Sequence, residues 1–286
     1  MRGPTRWLVL LPCVLVLAAC SDPPRIGRTP PTTTQELMGR GLVLQKGAGL
    51  PMLCLGAVAA SRPPQCEGPP ITNWDWGAVP DEESYRGTTD GTYVVVGTYD
   101  SGRFTLTRAA RTPQAYDGPR VAVADETPRK SPCPVPEGGW QVRDLATTTD
   151  ASLARTLRAA AALEGFGDAW LDRSVNPAQD ERHADDPRRL VLDVAVTGDR
   201  GVAEERLRRT WGGALCVSKA VHDQEDLRVV ARQIRGVRGA QSVTTAHDQV
   251  DLQVFYDDGT LQRSLDEKYG VGVVVVTSGL QPYPRQ

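Results

Sequence analysis

The second half of the chain repeats itself. Set VLDVAVTGDRGVAEERLRRTWGGALCV over QVDLQVFYDDGTLQRSLDEKYGVGVVV and no gap is needed. Asp193 meets Asp251, Val196 meets Val254, Asp199 meets Asp257, Gly201 meets Gly259, Leu207 meets Leu265, Trp211 meets Tyr269, Gly212 meets Gly270 and Val217 meets Val275. A duplication constrains folding more than any local propensity, because both copies must form the same supersecondary unit.

Within each copy an alternating strand ends in a polar turn, a helix of about three turns follows, an aromatic-Gly pair breaks it, and a valine-rich strand finishes. Asp199 and Asp258 are placed to cap the two helices through their exposed N–H groups. Gly212 and Gly270 suit the position after the last helical turn, where positive φ is wanted. Upstream of each copy lies a further helix, DASLARTLRAAAALEG or QEDLRVVARQIRG, then a strand around Ala169 to Asp172 or Ser242 to Thr245. The unit therefore reads αββαβ, twice. Helices on one sheet face bury it by the usual βαβ logic, and a single sheet continuous through both copies is one way to join them. The run Val273 to Val276 reads as a strand buried on both faces; as an edge it would invite strand addition. The aromatic-Gly followed by V-x-V resembles the C-terminal part of the prosegments of streptogrisin-type and α-lytic-type proteases. No protease domain follows here, so a folding-chaperone role is not implied.

Ahead of the repeats the pattern is β. GLVLQ, MLCLGAVA and TYVVVGTYDSGRFTLTRA are rich in strand formers, and the last is a hairpin turning at Asp100 to Gly102. The intervening SRPPQCEGPPITNWDW is too rich in proline to ladder. The fold class is thus α+β: a small β domain over 36–111, either an OB-like barrel or a sandwich, a proline-rich linker over 112–139, and a duplicated αββαβ sandwich over 140–286, with copies at about 150–220 and 221–280.

The N-terminus gives an address. Arg2 and Arg6 precede an apolar run from Trp7 to Ala19 that ends in Leu17, Ala18, Ala19, Cys20. A membrane-spanning helix needs roughly 20 apolar residues, so this shorter run reads as a secretory signal. Its end resembles the lipobox of bacterial lipoproteins, which implies cleavage before Cys20, lipid on Cys20, and residence on the outer, extracytoplasmic face of the cell membrane. Residues 21–35, beginning SDPPRIGRTPPTTT, read as an extended tether. The abundance of Ala, Arg, Asp, Gly and Val is similar to that of many secreted actinobacterial proteins. With Cys13 removed and Cys20 lipidated, Cys54, Cys66, Cys133 and Cys216 remain. Outside the cytoplasm these read as two disulfides, for which three pairings exist. Cys54 with Cys66, flanking a proline-rich turn, and Cys133 with Cys216 is the preferred one.

Few enzyme chemistries are signalled. There is no G-x-S-x-G, P-loop, G-x-G-x-x-G after a strand or H-E-x-x-H. A formal net charge of −2 with no basic block argues against nucleic-acid binding. His183, His222 and His247 each sit in polar sequence beside carboxylates and read as solvated loop residues, and FYDDGT lacks the further ligands of a calcium loop. No catalytic residue, metal or cofactor is assigned. Trp74 and Trp76 in PPITNWDW read either as a plug closing the β domain or as a surface for an envelope protein or glycan; Trp140, Trp170, Trp211 and Tyr269 read as core. The expected function is a lipid-anchored, non-enzymatic binding or structural module of the cell envelope. The alternatives are an envelope hydrolase or substrate-binding protein with a site between its domains, and a regulator of an envelope protease.

Overall fold

The structure, a computed structural model, describes residues 33–56, 58–121, 129–175 and 186–284. The signal segment, Cys20, the tether up to residue 32 and His183 lie outside them. The N-terminal part contains β1 (Thr33–Lys46), β2 (Met52–Cys54), β3 (Glu83–Tyr85), β4 (Thr88–Asp100) and β5 (Arg103–Leu106). β1 starts at Thr33, inside the stretch read as tether. It runs antiparallel to β4 from end to end, so the two make a long ribbon that forms the spine of the sheet. Ser101 (φ 50°) and Gly102 (φ 82°) turn β4 into β5 with two left-handed residues, the twist that short hairpins favour. The sheet is open rather than closed into a barrel, because the strands that flank the spine are too short to bring its edges together.

The repeat folds as the duplication requires. The first copy is α1 (Asp150–Ala161), β6 (Phe166–Asp172), β7 (Val191–Val196), α2 (Arg200–Arg208) and β8 (Ala214–Lys219). The second is α3 (Gln224–Ile234), β9 (Ala240–Ala246), β10 (Gln249–Val254), α4 (Thr260–Tyr269) and β11 (Val274–Ser278). In each copy the first strand pairs antiparallel and the last parallel to the middle one. The copies form two separate three-stranded sheets, not one continuous sheet. Leu192, Val194 and Val196 face α1 and α2 and pack with Leu153, Ala160, Leu207 and Trp211. The matching Val250, Leu252 and Val254 pack with Leu227, Ala231, Ile234 and Leu265.

Two local expectations are corrected. Asp199 caps α2, accepting from the N–H groups of Gly201 and Val202, but in the second copy the first-turn N–H groups of Leu261 and Gln262 go to Asp257, the residue aligned with Asp199. Asp258 accepts from Thr260 N–H, while the cap position itself is Gly259 at φ 88°. Gly270 has the expected positive φ of 99°, whereas Gly212 does not. Gly212 is needed for space: a Cβ there would run into the Asp144 carbonyl oxygen, and its own N–H and C=O bond the 143–147 loop.

β11 is an edge strand with only Val274 fully buried, not a strand sealed on both faces. Its outer rim is nevertheless occupied. The Gln262 amide donates to the Val274 carbonyl (2.8 Å) and accepts from Val276 N–H (2.8 Å), standing in for a neighbouring strand.

The chain then returns to its start. β12 (Gln281–Pro282) pairs with β1, and Leu280 is fully buried in the N-terminal core with Leu37, Tyr93 and Phe104. The second copy meets the β domain through Gln253 Nε2, which donates to the Leu55 carbonyl (3.0 Å), and through the Tyr99–Tyr256 ring contact. The two copies are joined at the β9–β10 turn, where the Asp248 carboxylate accepts from the N–H groups of Val221 and His222.

Candidate functional site

Cysteine pairing sets the site. Cys54 joins Cys66 and Cys133 joins Cys216, with Cα separations of 6.0 and 5.8 Å, as expected from the sequence. The second bridge lays the end of the proline-rich linker, residues 129–139, across the first copy's outer sheet face, the one turned away from the helices. Alternation puts Asp168, Trp170 and Asp172 of β6 and Val191, Asp193 and Ala195 of β7 on that face. Ladder register sets Trp170, Asp193 and Cys216 side by side across the three strands. Ser131 N–H donates to Asp172 (2.7 Å), and Cys133 is bonded to Cys216. Residues 131–133 are thereby tied to the sheet on either side of Asp193.

Asp193 is fully buried and neither carboxyl oxygen has a hydrogen-bond partner. Loss of water pushes its pKa up to about 7. The nearby Ser131 hydroxyl partly offsets this, without reaching full hydrogen-bond geometry; neighbouring Asp172 adds to the rise and Arg129 opposes it. Asp172, only 2% exposed, shows the opposite outcome. Burial would raise its pKa, but the Ser174 hydroxyl and the N–H groups of Ser131 and Ser174 outweigh burial and hold it below the usual carboxylate range. Arg129 completes the cluster. Its guanidinium pairs with Asp168 (2.5 Å) and lies 3.3 Å from the centroid of the Trp170 ring, a cation–π contact.

Among the described residues, the second copy has no such cover at the equivalent position. Asp251 is half-buried and accepts from Gln249 Nε2 at 2.7 Å. The difference between Asp193 and Asp251 therefore comes from the strap and not from the repeat.

Trp74 and Trp76 are half-buried and packed edge-to-face with each other and with Tyr93, at centroid distances of 5.1 to 6.3 Å. Trp76 Nε1 donates to Gln45. Trp211 is core, its indole N–H donating to the Ala214 carbonyl; Trp140 rests on the Cys133–Cys216 bridge and Tyr269 against the second core. Trp170 is half-buried and belongs to the carboxyl cluster rather than to the helix-side core. His222 Nδ1 lies 3.2 Å from the Asp248 carbonyl oxygen, and His247 N–H donates to Asp168. Among the described residues no group of three or more His, Cys, Asp or Glu side chains is arranged to hold a metal ion. A cavity of about 380 Å³ beside the strap is lined by Val135, Trp140, Val175, Leu190, Ala214 and neighbouring residues; its Arg188 is already paired with Asp186.

Sequence reasoning aligned Asp193 with Asp251 and passed over it. The available signal was a lone carboxylate inside LVLDVAV, with apolar neighbours on both faces. No known family model matches this chain, and a search of curated proteins finds no match to it.

Proposed function

We propose that the protein is a lipid-anchored lipoprotein of the extracytoplasmic membrane face, and that its folded part is a non-enzymatic binding or structural module of the cell envelope. The observation that carries this reading is the pairing of all four cysteines of the folded region behind a lipobox-like N-terminus. Thiols paired throughout a chain suit an oxidising compartment, and Cys20 in that sequence context suits lipid attachment. The absence of cofactor and nucleophile motifs supports a module that works through its surfaces.

A hydrolase is the second reading, favoured by one feature: Asp172 and Asp193 have pKa values driven apart, as acid–base pairs do. Against it, both carboxyl groups are shut away from any substrate, and a catalytic acid must reach its substrate within hydrogen-bond distance.

The test is fractionation with metabolic fatty-acid labelling. The wild-type chain should partition with membranes and carry label, while Cys20→Ala should be unlabelled and released. Cross-linking of the labelled protein in cells, followed by mass spectrometry, then identifies its envelope partner. Membrane retention of unlabelled Cys20→Ala would reject the lipid anchor.

A further inference from the structure

The strap is tied to the sheet by two unlike means. At Cys133 it is covalent. Over residues 129–132 it depends on polar contacts alone: Arg129 to Asp168 and the Trp170 ring, and Ser131 N–H to Asp172. Beneath this arm lies Asp193, with both oxygens buried and unpartnered. We propose that residues 129–132 form a pH-responsive strap, shut over the protonated Asp193 side chain and loosened from the sheet when that side chain ionises.

The argument rests on what surrounds Asp193 from each side. β6 presents Asp168, Trp170 and Asp172, β8 presents Cys216, whose sulfur is in the disulfide, and the arm presents Arg129, Lys130 and Ser131. Asp172 already has its donors and Asp168 already has Arg129. A charge formed on Asp193 has one uncommitted protein donor beside it, the Ser131 hydroxyl, too little to replace its lost water, and a second carboxylate, Asp172, close by. Arg129 is already engaged with Asp168 and the Trp170 ring. Beyond that one hydroxyl, water is the remaining source of donors, and the arm is what excludes it. Burying an unpaired charge is among the costlier events in a protein interior, whereas opening four residues held by a few polar contacts is cheap by comparison. Cys133 stays bonded throughout, so the motion is confined to the arm and reversible.

The sign follows from linkage. Asp193 is raised above the ordinary 3.8 to about 7 when covered. The closed arm therefore retains its full stability below about 3.8, loses it as pH climbs, and reaches the loosened limit above about 7. Asp172 acts at the other end, since its lowered value keeps its grip on Ser131 until the pH falls below 3.8.

Hydrogen exchange on the full chain with both disulfides intact tests this. Protection of the Ser131 amide, corrected for the intrinsic pH dependence of exchange, should fall about tenfold or more between pH 5 and pH 8. Amides of β10 should stay constant, and Asp193→Asn should hold the strap at its acid-state protection throughout. Equal protection at both pH values in the wild type, or the same fall in Asp193→Asn, would overturn the proposal. Should Asp193→Asn fail to fold, the carboxyl carbon shift of Asp193 in the wild type serves instead. Its titration midpoint must coincide with the midpoint of strap opening, and a midpoint near that of an ordinary aspartate would equally overturn it.

Discussion

A carboxylate in the centre of a three-stranded sheet, between Trp170 and Cys216, has to be either paired or neutral. Asp193 has no partner, so the structure holds it near neutrality, and its contribution to stability depends on pH. Because its value rises from 3.8 to about 7 on burial, folding loses stability as pH rises between those limits. Asp193→Asn removes the titration while keeping the shape. It should therefore stabilise the protein at pH 8, by on the order of 1 to 4 kcal/mol in urea unfolding, and have little effect at pH 4. A gain of equal size at both pH values would mean that packing, not ionisation, explains the effect. The sequence carries Asp193 as a lone carboxylate within an apolar strand, a signal that the alignment with Asp251 passed over. It could not show that this face would be covered, since the cover comes from residues some 60 positions away. Gly212 makes the same point. Alignment with Gly270 identified both glycines, but one meets a dihedral demand and the other a close approach by the 143–147 loop, and only the first kind is written into local sequence.

Elements were more legible than their assembly. The αββαβ order of both copies was readable because hydrophobic period and turn chemistry are local signals. Whether the two sheets would merge was not, because that depends on how the edges of β8 and β9 are presented in space. β11 shows why an edge matters. A valine-rich edge strand is a template for another chain, and here Gln262, projecting from α4, occupies the very N–H and C=O groups that a visiting strand would use. Its counterpart in the first copy, Glu204, instead pairs with Arg208, so the alignment did not reveal the role. Gln262→Ala should free that rim at modest cost to the fold, of about 1 kcal/mol. Sedimentation velocity should then show concentration-dependent association absent from the wild type. A variant that remains monomeric at the same concentrations would show that the rim is protected by some other feature.

At the scale of the whole molecule, the two disulfides have different tasks. Cys54–Cys66 closes a short loop within the β domain, with a separation of 12 residues. Cys133–Cys216 spans 83 residues and ties the linker to a sheet whose strands follow it in sequence. Loop-closure entropy alone assigns the short bridge about 3 kcal/mol and the long one about 4 to 5 kcal/mol. The strap adds a second distinction. Replacing Cys133 and Cys216 with Ser frees the cover over Asp193, so water can solvate its charged form in the native state and the stability loss between pH 4 and pH 7 should shrink. Replacing Cys54 and Cys66 leaves that cover in place and should preserve the full pH dependence while lowering stability uniformly. Urea unfolding of both double variants at pH 4 and pH 8 separates the two effects. If both variants kept the same pH dependence, the buried carboxylate would be insulated by the sheet itself, and the strap would serve only as a staple.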